Sequence, residues 1–77
     1  MTEPYQAISC ALHDVYEIAV MHKQHLNIKW TDDRGERHTT KVMPKDIVVK
    51  NREEFLIAIA QDGEELCIRL DMVRLLS

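Results

Sequence analysis

The chain has 77 residues, of which 45% are hydrophobic and 30% charged, with only 2 Gly and 2 Pro. That usage is globular rather than disordered or linker-like, and its length suits one small domain spanning 1–77 whose apolar side chains share a single core. Asp and Glu number 13 and Lys and Arg 10, so the net charge is -3, the wrong sign for a general nucleic-acid binder.

The spacing predicts a helix over 9–21. Ser9 can cap it with its side-chain oxygen, and Leu12, Val15, Tyr16 and Ala19 recur at the spacing of one apolar face. His13, Asp14, Glu17 and Met21 fall on the opposite side, with Asp14 close enough to the amino end to feel the helix dipole. After His25 the period becomes two. Leu26, Ile28 and Trp30 alternate with Asn27 and Lys29, which predicts a half-buried strand over 26–31. A polar loop from Thr31 to Glu36 leads to a weaker strand over 37–43, which Pro44 interrupts with an edge, bend or bulge. A strand over 46–50 follows, then the turn Lys50-Asn51-Arg52-Glu53 and the strongest strand, 54–60. Asp62-Gly63 predicts a type I′ turn into a strand over 64–70, and 72–76 can form a last short strand. The expected fold is mainly β with one amino-terminal helix. Its five or six antiparallel strands form a small Sm-like barrel or sandwich, because closure removes exposed edges.

Cys10 and Cys67 are too few for the disulfide framework of a small secreted domain. No apolar run approaches a membrane span and no signal segment opens the chain, so the expected setting is the cytoplasm. Cys10, His13, His22 and His25 give C-x2-H-x8-H-x2-H, four possible zinc ligands. The two pairs sit at opposite ends of the predicted helix, about 15 Å or more apart, too far for one ion. The expectation is therefore no metal and no cofactor, with Cys10 buried and the histidines solvated. Catalysis is not expected either, since no phosphate loop, nucleophile elbow or H-E-x-x-H occurs. Direct RNA binding needs basic grooves and stacking aromatics. Tyr16, Trp30 and Phe55 fall at core-facing positions, and Lys50 with Arg52 makes one basic turn rather than a stripe.

Charge is the first functional clue. Met1 to His22 holds Glu3, Asp14 and Glu17 and no Lys or Arg, whereas acids and bases cancel from Lys23 onward. An uncompensated acidic segment on a neutral body can be steered to a basic partner. The same segment carries a resemblance. Tyr5-Gln6-Ala7-Ile8-Ser9-Cys10, His13-Asp14 and Tyr16-Glu17-Ile18-Ala19 resemble the opening of the Rof (Rho-binding antiterminator) family. Glu54-Phe55-Leu56 resembles its E-[YF]-L strand, and Ile68-Arg69-Leu70-Asp71-Met72-Val73 its closing block, in the same order across nearly the whole chain.

That resemblance implies a protein partner, the hexameric transcription termination factor Rho. Members of the family bind its primary RNA-binding region and keep RNA from engaging. It implies no enzyme activity and no direct nucleic-acid or membrane contact, and a chain monomeric when free; a module that binds single-stranded RNA itself is the alternative. By position, Asp14 and Glu17 match the family's helix acids and would pair with Lys or Arg on Rho. His13 stands where an aromatic is common, and Lys50, Asn51 and Arg52 match a polar turn that would form a second contact. Ala7 replaces a usual Pro, and Ala11 and Leu12 stand where some members carry acids, so this helix presents fewer negative charges.

Overall fold

The computed structural model describes Pro4 and residues 6–76; Glu3 and Tyr5, which entered the charge count and the resemblance, lie outside the described residues. Helix α1 spans Cys10–His22, and Ser9 accepts a hydrogen bond from the Leu12 amide at 3.2 Å, which satisfies one of the free donors of the first turn. Lys23, in the left-handed region at φ 54°, ends it and returns its amide to the carbonyls of Ala19 and Val20. Because the helix begins at Cys10, its first turn contains no acid, and Asp14 lies just beyond the reach expected for the dipole.

Five antiparallel strands follow: β1 (Leu26–Thr31), β2 (Arg37–Lys50), β3 (Glu53–Ala60), β4 (Glu65–Arg69) and β5 (Val73–Leu75), in the sheet order β4-β3-β2-β1-β5. The two strands expected on either side of Pro44 are one. β2 pairs with β1 through Val42 and with β3 from Val42 onward, and its register shifts between Pro44 and Asp46. Pro44 thus sits at a bulge where β1 has already ended, a place where a residue without an N–H is tolerated. The strand bends there instead of stopping.

Two hairpins are closed by one device. Gly35 and Gly63, at φ 83° and 89°, each donate to the carbonyl three residues back, and a wider bond follows from Asp32 to Glu36 and from Ala60 to Glu64. Only the glycine is left-handed in the 61–64 loop, so this is a turn with a glycine bulge and not the expected type I′. In the first loop the Asp32 carboxylate accepts from the amides of Arg34 and Glu36, both at 2.9 Å, and from His38 Nε2 at 2.8 Å. These bonds, led by His38, hold the Asp32 carboxyl below its ordinary value of 3.8. A lowered pKa means stability that is present above the ordinary value and lost as pH falls through the folded one. Melting temperatures measured from pH 5 down to pH 2 should therefore fall less steeply in Asp32→Asn than in the parent.

Only the short 3₁₀ turn Leu70–Met72 separates β4 from β5, although these strands are the two edges of the sheet. In a flat sheet those edges would stand about 19 Å apart, further than four extended residues reach. The sheet therefore rolls, although the described ladder stops short of a closed barrel. Tyr16, Ile28, Val42, Leu56 and Leu70 fill the interior at 0% exposure, with Ala19 and Ala58 beside them. Each such aliphatic contributes about 1.5–3 kcal/mol by leaving water. The Tyr16 hydroxyl is buried with no partner, and burial raises its pKa above 10.0.

Candidate partner-binding site

Tyr16 and Ala19 anchor α1 over the sheet, with Leu12 packed alongside. Everything a half-turn away faces solvent. There Asp14 and Glu17 are exposed as expected, but they are not alone: Val15 is 40% exposed, Ile18 50% and Met21 75%. Val15 was expected in the core. At 100° per residue it lies well off the Tyr16 direction, and the helix rests on a narrower stripe than the sequence pattern suggests. The outer face is therefore acidic and apolar together, a composition that marks interaction surfaces more often than a plain charged face does. The signal was present in the sequence, since α1 is apolar on more sides than one core contact requires.

Asp14 has no hydrogen bond or ion pair among the described residues. Glu17 is held by His13 at 2.7 Å, not by a lysine or arginine. His13 itself is turned inward. Its Nδ1 faces Glu17 and its Nε2 faces Glu54 of β3 at 2.5 Å, with a quarter of the side chain exposed. Both ring nitrogens are thus engaged within the chain, so the ring helps to position α1.

That bridge has a geometric consequence. Glu54 lies two residues past Arg52, so the Lys50-Asn51-Arg52 turn sits on the same side of the molecule as the acidic half of α1. Asn51 and Arg52 form a two-residue loop at φ 51° and 65°, the handedness a type I′ hairpin requires. Asn suits that region; Arg does not, because its Cβ crowds the backbone. Arg52→Gly is expected to raise stability by about 0.5–1 kcal/mol, read from the urea midpoint.

The zinc-type residues do not converge. Cys10 and His22 stand at opposite ends of α1, about 18 Å along its axis, and His22 and His25 are exposed. Cys10 is exposed too, not buried as expected. Two other groups bring possible ligand atoms within 4.8 Å of one another, His13 with Asp14 and Glu17, and Asp32 with Glu36 and His38. In the first group His13 is bonded to Glu17 and Glu54, and in the second His38 is bonded to Asp32. Trp30 and Phe55, also expected in the core, are half-buried and line a cleft beside the first hairpin loop.

Compared with known families, residues 7–77 match the one described as modulator of Rho-dependent transcription termination (ROF). The chain belongs to the ROF family. The match takes in α1 and all five strands, so the acidic helix and the Lys50–Arg52 turn both lie within the ROF region. Membership makes the chain a modulator of Rho-dependent termination. A comparison with curated proteins gives no match.

Proposed function

We propose that this protein binds Rho directly through the outer face of α1 and inhibits termination by keeping RNA off Rho's RNA-binding region. The reading rests chiefly on one arrangement: Asp14 and Glu17 point outward among exposed Val15, Ile18 and Met21, and no lysine or arginine among the described residues pairs with either acid. A surface that attracts phosphates is cationic, and carboxylates held on a rigid helix enter the same field. Coulomb attraction then supplies steering and register. Desolvation of Ile18 and Met21 supplies affinity that salt does not screen.

Within this scheme Asp14 and Glu17 pair with Lys or Arg of Rho. His13 fixes the helix angle through Glu54, and Lys50, Asn51 and Arg52 touch the rim of the same site. The strained Arg52 backbone fits that role, because strain persists where surrounding structure and function hold it. The mechanism is occlusion by a monomer in the cytoplasm, with no covalent step and no cofactor.

A competition experiment decides the matter. Labelled RNA bound to the Rho hexamer is titrated with the purified chain, and release of RNA in proportion to chain bound is the expected result. Complex formation without loss of RNA would refute occlusion, and absence of any complex would refute direct binding.

A further inference from the structure

On the sheet, away from the helix, charge of the opposite sign is concentrated. Leu26, Ile28 and Trp30 of β1 face the interior, so Asn27, Lys29 and Thr31 face out. Register fixes what stands beside them. Lys29 lies between Arg74 on β5 and Thr39 on β2, while Arg37 pairs with Thr31 and Lys41 with Asn27. Arg37 and Lys41 are thus the diagonal neighbours of Lys29, about 7–8 Å away. All four cations are exposed, and none has an ion pair among the described residues. Asp71, the acid that shares their groove, is committed elsewhere: it takes two bonds from Arg69 and one from the Gln6 amide.

Two observations argue that this face receives a ligand. Like charges directly opposite on neighbouring strands destabilise a sheet, yet Lys29 faces Arg74 with two more cations at the diagonals, in a chain whose net charge is negative. An anion spanning them turns that repulsion into attraction. The groove also continues, through Thr31, Arg37 and Met72, into a cleft of about 840 Å³ that holds Trp30 and Phe55 together with the cations Arg34 and Arg69 and the acids Asp32, Asp33 and Glu53. Trp30 stacks on His38 with ring centroids 4.4 Å apart, and its indole N–H is buried with no acceptor. Cations leading to aromatics are the combination that holds single-stranded nucleic acid. An acidic polypeptide would satisfy the cations and leave the aromatic cleft unused.

We infer that the β1–β2–β5 face binds single-stranded RNA, with Lys29, Arg37, Lys41 and Arg74 on its phosphates and a base at the Trp30 cleft. This departs from the expectation of no direct nucleic-acid contact, which rested on the net charge, on a single basic turn at Lys50 and Arg52, and on the family resemblance. It does not depend on the helix reading.

The test is fluorescence anisotropy of fluorescein-labelled 12-nucleotide oligouridylate and oligocytidylate with the whole chain, Rho being absent. Saturable binding at 50 mM KCl is expected, weakening about 20- to 50-fold by 200 mM as three or four phosphate contacts are screened. Lys29→Glu with Arg74→Glu should lower affinity at least about tenfold, whereas Asp14→Lys with Glu17→Lys should not weaken it. Amide shifts mapped on the parent chain, which need no variant, should cluster in 27–31, 37–41 and 73–75. No saturable binding at 50 mM KCl, or shifts confined to α1, would overturn the inference. So would displacement by polyglutamate of equal charge as effective as that by unlabelled RNA.

Discussion

Lysine at both Asp14 and Glu17 is expected to lower affinity for Rho about hundredfold at 0.1 M salt, with the melting temperature of the chain near that of the parent. Both side chains are exposed, and the only described contact the pair would lose is that of Glu17 with His13. Each reversal removes an attraction to a cationic surface and introduces a repulsion. About 1.4 kcal/mol per position, which corresponds to tenfold, lies at the low end of what interfacial charge pairs contribute. Titration calorimetry against the Rho hexamer measures the effect, and the gap between variant and parent should narrow as salt is raised. Ile18→Ser with Met21→Ser should also weaken binding, but by a factor that salt hardly changes. Equal affinity of the lysine variant and the parent would show that α1 is not the contact surface.

Asp71→Ala should destabilise the fold by about 3 kcal/mol, lowering the melting temperature by roughly 15–20 °C for a domain of this size. Arg69 Nε and Nη2 donate to the two Asp71 oxygens at 2.5 and 2.9 Å, and the side chains are only 8% and 9% exposed. Removing the carboxylate takes two charge-assisted hydrogen bonds from a buried guanidinium. It also frees the Gln6 amide, which Asp71 ties to the 3₁₀ turn at 2.9 Å. The partner experiment is Arg69→Met with Asp71→Leu, which should recover most of the loss, because replacing both charges removes the desolvation cost as well as the attraction. If the double variant is as unstable as Asp71→Ala, the Gln6 tether rather than the ion pair carries the effect.

What the sequence revealed and what it concealed divide along the range of the interactions. Ser9 as cap, the polar loop after Thr31 and the irregularity at Pro44 are local matters, legible from neighbouring residues alone. Pro44 was harder to interpret than to locate, since whether a strand stops or bulges depends on which neighbour it has, and β1 ends just before it. Val15 was misplaced because the width of the buried stripe depends on how α1 sits on β2 and β3, which no helical wheel contains. His13 followed the same rule: its engagement depends on Glu54, forty-one residues away. The outward direction of Asp14 and Glu17 was readable from periodicity. The cationic face was not, because its members are spread over β1, β2 and β5 and meet only through register.

The single 3₁₀ turn joining the two edge strands governs how the molecule is assembled. β5 must return to β1, the first strand made, to form the most sequence-distant ladder of the sheet, and ladders of that kind are the slowest to form. Hairpins β1–β2, β2–β3 and β3–β4 can zip as they emerge during synthesis, but the interior stays open to water until Val73 arrives. A nascent chain held short of that residue lacks its cationic groove, and β1 keeps an unpaired edge exposed to neighbouring chains.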